Sequence, residues 1–332
     1  MRTETKMLVW LLLLPPLFGE VLNGNFPPLR LLGCYGVPAI AFVLLYGCGT
    51  LLMHELRARW KLQWSLVLLA VAYAIIEEGF ATKAFLDPGH GGPKSLFSYY
   101  GFFFGVKWVW ALGVGYYHAT LSTLAPLFVL TLLWPHLTYT PLLKKKGMIL
   151  TLLGFGLITF GGFCGSGKNP ETGEVFFPSA GLGFTMLAVV ISLIALASAF
   201  RKSRIQTDYR LLPPWVFGLV AAGVQTFFLF NYLFARAKVN PVITILIQLL
   251  VIAFSLFFMR WQILNRGATV RHHVALIVGA AAVYIAITPL HEFLMFTGKG
   301  RGMLAVGILG AWLLYKWRKV VLSREAAQAQ SA

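Results

Sequence analysis

Charge is scarce in this chain. Only 12% of its 332 residues are Asp, Glu, Lys or Arg, about half the share of a soluble globular domain. Acidic residues are the rarest of these, 11 against 28 Lys and Arg. Long polar stretches are missing too, so a separate soluble domain has no room to fold. Cysteine is nearly absent: Cys34, Cys48 and Cys164 show no CxxC spacing, which argues against a thiolate metal site. Cys34 and Cys164 fall near the outer ends of apolar segments, where a disulfide is one option and free packed thiols the other. No GxxxxGK[ST] phosphate loop occurs either. The Gly-rich stretch 161–174 has no strand before it and reads as a flexible connector.

What fills the chain instead is apolar sequence. Hydrophobic residues make up 58% of it, and the mean hydropathy is +0.75. A membrane-crossing helix needs about 20 predominantly apolar residues. Ten segments qualify, at 7–22, 29–53, 64–86, 106–134, 147–164, 179–200, 213–235, 240–260, 272–291 and 303–320. The first follows MRTETK and lacks a small-x-small cleavage site, so it reads as an uncleaved helix rather than a leader. The expected fold is an all-α polytopic bundle of about ten transmembrane helices, one domain over 1–332 with 318–332 a short polar cytoplasmic tail.

The net charge of +17 raises the question of nucleic acid. The basic residues are spread through alternate loops, which excludes that partner and fits the positive-inside rule. With the N-terminus inside, Arg57, Arg59 and Lys61, the run Lys144–Lys146, Arg201 to Arg210, Arg260 to Arg271, and Lys316 to Arg324 all fall on one side. Both termini are then cytoplasmic. The expected location is the inner membrane of a prokaryote, and the lipid bilayer is the expected partner. Most acidic residues, Glu20, Glu77, Glu78, Asp87 and Glu292 among them, fall in the outer half.

Glu77 and Glu78 stand out because they lie inside an apolar run. A charge at bilayer depth costs about 2.5–3.5 kcal/mol on insertion scales, and such residues are functional by default. Helix periodicity places Glu77 just past the midplane. His118 lies at similar depth on the antiparallel neighbour, eleven residues below Lys107 and on its face. A carboxylate and an imidazole meeting there suit base work on water, a proton relay or metal ligation. Lys83 and Asp87, four apart, form an expected flanking pair. His291 and Glu292 make a shallower His/Glu pair beside Pro289, which a solvated helix end would also explain. Asn240, Thr244, Gln248 and Ser255 form a stripe that interhelical hydrogen bonding accounts for. Residues 93–104, PKSLFSYYGFFF, are aromatic enough for an interfacial helix over the outer mouth.

The double glutamate followed by a deep histidine resembles the CPBP group, the CAAX-protease-like intramembrane metalloproteases, whose pattern is EExxxR, then FxxxH, then a later His. Glu77, Glu78 and His118 match the pair and the first His, with His291, His272 or His273 as the later one. Thr82 stands at the Arg position with Lys83 beside it, and Val114 at the Phe position. The pair with Lys83 also resembles membrane proteases bearing EExxK, with the Lys two places late. The resemblance implies peptide hydrolysis in which Glu77 activates water and His118 binds metal or an oxyanion. Glu78 and His118 would then be ligands of a divalent metal such as Zn, and a membrane-embedded peptide the substrate.

Two further readings stand beside it. A proton- or cation-coupled transporter or flippase of a small solute would use a midplane carboxylate as its coupling site. An enzyme acting on a lipid or polyprenyl carrier would hold a phosphate with Lys83, Lys107, Lys94 and Arg30. Lys83, Asp87, Lys107, His291 and Glu292 are the candidate substrate contacts.

Overall fold

A computed structural model describes residues 2–28, 37–89, 99–167, 173–295 and 302–331. Cys34, Arg30, Lys94 and residues 93–98 lie outside the described residues. Helices dominate, with one small hairpin, Phe102–Phe103 paired antiparallel to Val106–Lys107. That hairpin occupies part of the stretch expected to be an interfacial helix.

Long helices follow the apolar segments. They are α1 (Thr3–Pro16), α2 (Val37–Trp60), α3 (Leu66–Ile75), α4 (Trp108–Leu133), α5 (Lys145–Gly165), α6 (Ala180–Lys202), α7 (Pro214–Phe230), α8 (Pro241–Ile263), α9 (Val270–Phe293) and α10 (Met303–Ser331). Among the described residues, α2, α4, α5, α6, α8 and α9 are long and apolar enough to cross a bilayer. The chain is accordingly a multi-pass integral membrane protein. α7 has 17 residues, which at 1.5 Å per residue falls a little short of a 30 Å hydrocarbon core.

Local chemistry sets the helix ends. Ser179 and Asn240 accept from the backbone N–H groups of Leu182 and Val242, capping α6 and α8. Thr269 and His272 form a capping box at the start of α9. Pro214 and Pro241 sit in first turns, where a missing N–H costs nothing.

Burial separates an inner set of helices from an outer one. The most apolar windows of α2 and α4 are each 56% buried, whereas those of α5, α6 and α8 are 6%, 17% and 17% buried. Leu150, Leu157, Phe160, Phe184 and Leu250 are exposed on those outer helices. In water such faces would be a large liability, whereas against acyl chains they are the natural surface. The core of Met7, Leu11, Leu51, Leu69, Tyr73, Leu127 and Leu130 joins α1 to α4. Close approaches need glycine. A Cβ on Gly47 of α2 would come 2.3 Å from the Leu12 carbonyl oxygen of α1, and one on Gly279 of α9 would come 2.0 Å from that of Gly218 on α7.

The inner helices are not regular. After Pro15 and Pro16, which donate no N–H, α1 widens into a π-helical turn at Leu17–Val21. α2 contains another at Val43–Gly47, α3 runs into one at Ile76–Ala81, and α4 contains one at His118–Leu124 just before Pro126. Thr82 N–H to Glu77 carbonyl at 2.9 Å is the five-residue bond of such a turn. π turns gather at functional sites because they rotate side chains out of helical register.

Candidate functional site

These four turns meet at one place, and each delivers a polar side chain: Glu20, Tyr46, the Glu77–Glu78 pair and His118. The imidazole of His118 lies between the two glutamates. Its Nδ1 is 3.1 Å from Glu77 Oε2 and its Nε2 is 3.0 Å from Glu78 Oε1. Glu77 is 0% exposed, Glu78 7% and His118 3%. Ser122, one turn along, places its Oγ 3.1 Å from the same Nδ1. Thr82 donates to Glu78 Oε2 at 3.3 Å. The shared depth expected of Glu77 and His118 is thus realised as direct contact.

Glu20 extends the cluster. It is buried and accepts a short hydrogen bond from the Tyr46 hydroxyl. The Tyr46 ring lies 5.8 Å from the His118 ring and 6.4 Å from that of Tyr73. Tyr117, beside His118, donates to the carbonyls of Phe18 and Gly19 at 2.9 and 2.8 Å, two acceptors in the π turn of α1. Three carboxylates and one imidazole therefore share a buried, aromatic-flanked cluster in the bundle. Fully ionised, with the imidazole protonated, they would carry a net charge of −2, which a low-dielectric interior does not tolerate without protons or a cation.

Glu77, Glu78 and His118 can each offer one ligand atom, with these atoms within 4.8 Å of one another. Two glutamates on opposite edges of one imidazole restrict how a metal would bind. A metal on Nε2 with Glu78 leaves Nδ1 facing Ser122 Oγ, its hydrogen-bond partner, with Glu77 3.1 Å away as the nearby negative charge. Only two protein ligands then remain, fewer than the three of a catalytic zinc.

The other candidates lie apart from this contact. Lys83 follows α3 in a left-handed conformation (φ 57°). Its Nζ donates to the carbonyls of Phe163 and Phe176, both at 2.7 Å, and faces the Phe177 ring at 4.7 Å. Among the described residues the expected pair with Asp87 does not close to an ion pair, because the two carbonyls take the ammonium, although the Asp87 N–H bonds the Lys83 carbonyl at 2.9 Å. Asp87 accepts from Gly89 N–H instead. Lys107 is buried on the hairpin, its Nζ 5.9 Å from the Trp110 ring. His291 is buried against Gly24, where an added Cβ would come 2.2 Å from Nδ1. Glu292, half-buried, accepts from Leu304 N–H at 3.2 Å. The stripe on α8 is interhelical: Gln248 donates to the Val109 carbonyl, Ser255 accepts from Tyr116, and Thr244 bonds Tyr100. Cys48 and Cys164 are free thiols.

Sequence reasoning placed Glu20 at a helix end and overlooked Tyr46. The available signal was a lone carboxylate three residues after Leu-Pro-Pro-Leu, where two prolines disturb the helix and the chain widens into the π turn Leu17–Val21. Comparison with protein-family models, curated proteins and solved structures gives no match to this chain, so the geometry of the buried cluster alone bears on its function.

Proposed function

We propose that the protein is a proton- or cation-coupled membrane transporter whose coupling site is Glu77, His118 and Glu78. The observation that carries this reading is the imidazole lying between two buried carboxylates, its nitrogens 3.1 and 3.0 Å from Glu77 and Glu78, with the Glu77 oxygens otherwise unpartnered among the described residues and Glu20 accepting from Tyr46 beside it. Such a group binds and releases one positive charge with little movement. A buried carboxylate pair with an unpartnered member is a place where a proton or cation is taken up and released, which is what coupling requires. In this reading the chain spans the bilayer ten times with both termini cytoplasmic, in the inner membrane of a prokaryote, and the site opens outward. His118 passes the proton or yields to the cation, and Glu77 and Glu78 hold the charge.

Reconstituted protein tests it. Glu77→Gln and His118→Gln are expected to abolish proton uptake or gradient-driven flux of the transported solute. Undiminished proton movement in both variants would remove the site from coupling. A second reading, metal-assisted peptide hydrolysis in the manner of the CPBP group, uses the same residues, and the 4.8 Å spacing of ligand atoms supports it. It requires about one divalent metal per chain, lost with Glu78→Gln and His118→Ala. A metal-free preparation of unchanged thermal stability after chelation speaks for the first reading.

A further inference from the structure

Below the site, α2 carries a file of buried polar side chains that the cluster does not use. Thr50, His54 and Arg57 follow Tyr46 at intervals of four, four and three residues, which keeps them on one helical face. Thr50 and His54 are 0% exposed and Arg57 7%. Thr50 Oγ, His54 Nδ1, and Arg57 Nε and Nη1 have no hydrogen-bond partner among the described residues. Arg57 has no carboxylate within ion-pair distance among them either. Its guanidinium lies 5.4 Å from the Phe128 and Tyr139 rings and shares one side-chain hydrogen bond with Tyr139, which leaves Nε and Nη1 unmet. Buried polar groups are normally satisfied, and three in file at successive turns call for an explanation.

The same stretch of α2 is clamped. Glu55 Oε1 accepts from the N–H groups of Leu142 and Leu143 at 2.6 and 3.0 Å, and its Oε2 accepts from Arg59 at 2.9 Å. Arg59 also donates to the Leu143 carbonyl, Lys61 donates to the Tyr139 carbonyl, and His54 Nε2 meets the Thr140 carbonyl. Four side chains from the end of α2 thus hold residues 139–143 over the end of the polar file.

We propose that the Tyr46–Thr50–His54–Arg57 face of α2 is the water-filled route from the Glu77–His118–Glu78 site to the second membrane face, and that the 139–143 segment, held by Glu55, Arg59 and Lys61, is its closed gate. The file extends the site away from Glu20, so the cluster is reached from one side past Glu20 and from the other along α2. Releasing the clamp wets the file and gives its polar atoms water as partner. The inference rests on the coupling reading for its destination, but its test does not depend on transport.

The test is thiol accessibility in proteoliposomes. Cys34→Ser, Cys48→Ala and Cys164→Ser remove native thiols, and Thr50→Cys, His54→Cys or Leu51→Cys supplies one. Leu51 is buried in the apolar core and serves as control. A membrane-impermeant methanethiosulfonate is added to either side in turn. With Glu55 and Arg59 in place, the Thr50→Cys and Leu51→Cys thiols label slowly, and His54→Cys, which lacks the contact to the Thr140 carbonyl, labels somewhat faster. With Glu55→Gln, and separately with the milder Arg59→Gln, labelling at Thr50→Cys and His54→Cys rises about tenfold, the shift that loss of one charge-assisted hydrogen bond brings. It rises only from the clamped side, and Leu51→Cys is unchanged. Unchanged rates at Thr50→Cys and His54→Cys in both released variants overturn the route. An equal rise at Leu51→Cys overturns it too, since it reports general loosening. If labelling behaves as expected while Glu77→Gln leaves proton movement intact, the route stands and the coupling reading falls.

Discussion

Replacing His118 by alanine is the most informative single perturbation of the site. The imidazole touches Glu77 and Glu78 at 3.1 and 3.0 Å, and neither glutamate is more than 7% exposed. Its loss leaves two buried carboxylates, with Glu20 close by, and no positive group between them. Removing one partner from a buried ion pair costs about 3–5 kcal/mol, because the remaining charge is uncompensated rather than because the pair was strongly favourable. The same argument says that removing the carboxylates as well returns much of the loss. His118→Ala is therefore expected to lower the thermal midpoint in detergent by roughly 6–10 °C, taking about 2 °C per kcal/mol for a chain of this size. The triple variant Glu77→Gln, Glu78→Gln, His118→Ala should recover at least half of that. Tryptophan fluorescence during a thermal ramp gives the readout. If His118→Ala melts within about 2 °C of the unaltered protein, or the triple variant is as unstable as the single, the imidazole is not the counter-charge and the electrostatic argument fails.

Other consequences are smaller and more local. Tyr46→Phe removes the donor that satisfies Glu20 and should cost about 1–3 kcal/mol, whereas Tyr46→Phe with Glu20→Gln should cost less than the two single effects summed, read from the same melts. Lys83→Met removes two charge-assisted bonds to the Phe163 and Phe176 carbonyls; a loss of about 2–4 kcal/mol is expected, and Lys83→Arg should not restore it, since one compact ammonium serves both acceptors. Gly47→Val pushes a side chain into the Leu12 backbone, which the packing of α1 on α2 cannot yield to. Low yield of folded protein in size-exclusion chromatography is expected, with Gly156→Val, which meets nothing within 4 Å, as the tolerated control.

Much of this molecule is dictated by its composition. Runs of about 20 apolar residues can only be helices in lipid, because every backbone group must be bonded within its own segment. Most helices begin and end within a few residues of the sequence segments, but α2 continues to Trp60 and α10 to Ser331, through much of the stretch expected to be a polar tail, and polar chemistry sets other ends. α3 stops at its π turn instead of continuing to residue 86, and α4 begins only after the hairpin strand Val106–Lys107. The carboxylate pair and His118 were also legible, since depth along antiparallel neighbours is a matter of counting residues and the cost of burying charge marks them out.

What counting could not supply is rotation and contact. Four π turns shift the register of α1 to α4, and that shift, which no periodicity of 3.6 foretells, brings Glu20 and Tyr46 to the same place as His118. It likewise takes the fold to show Lys83 tied to carbonyls more than 75 residues away in sequence and Glu55 stapling residues 142 and 143. Sequence alone marked which segments are apolar enough for lipid, six of them realised as helices long enough to cross a bilayer among the described residues, because transfer from water to lipid is a property of each segment by itself. Tertiary structure decided which polar groups meet there, because partnership between buried charges depends on the rotation and packing of helices that are distant along the chain.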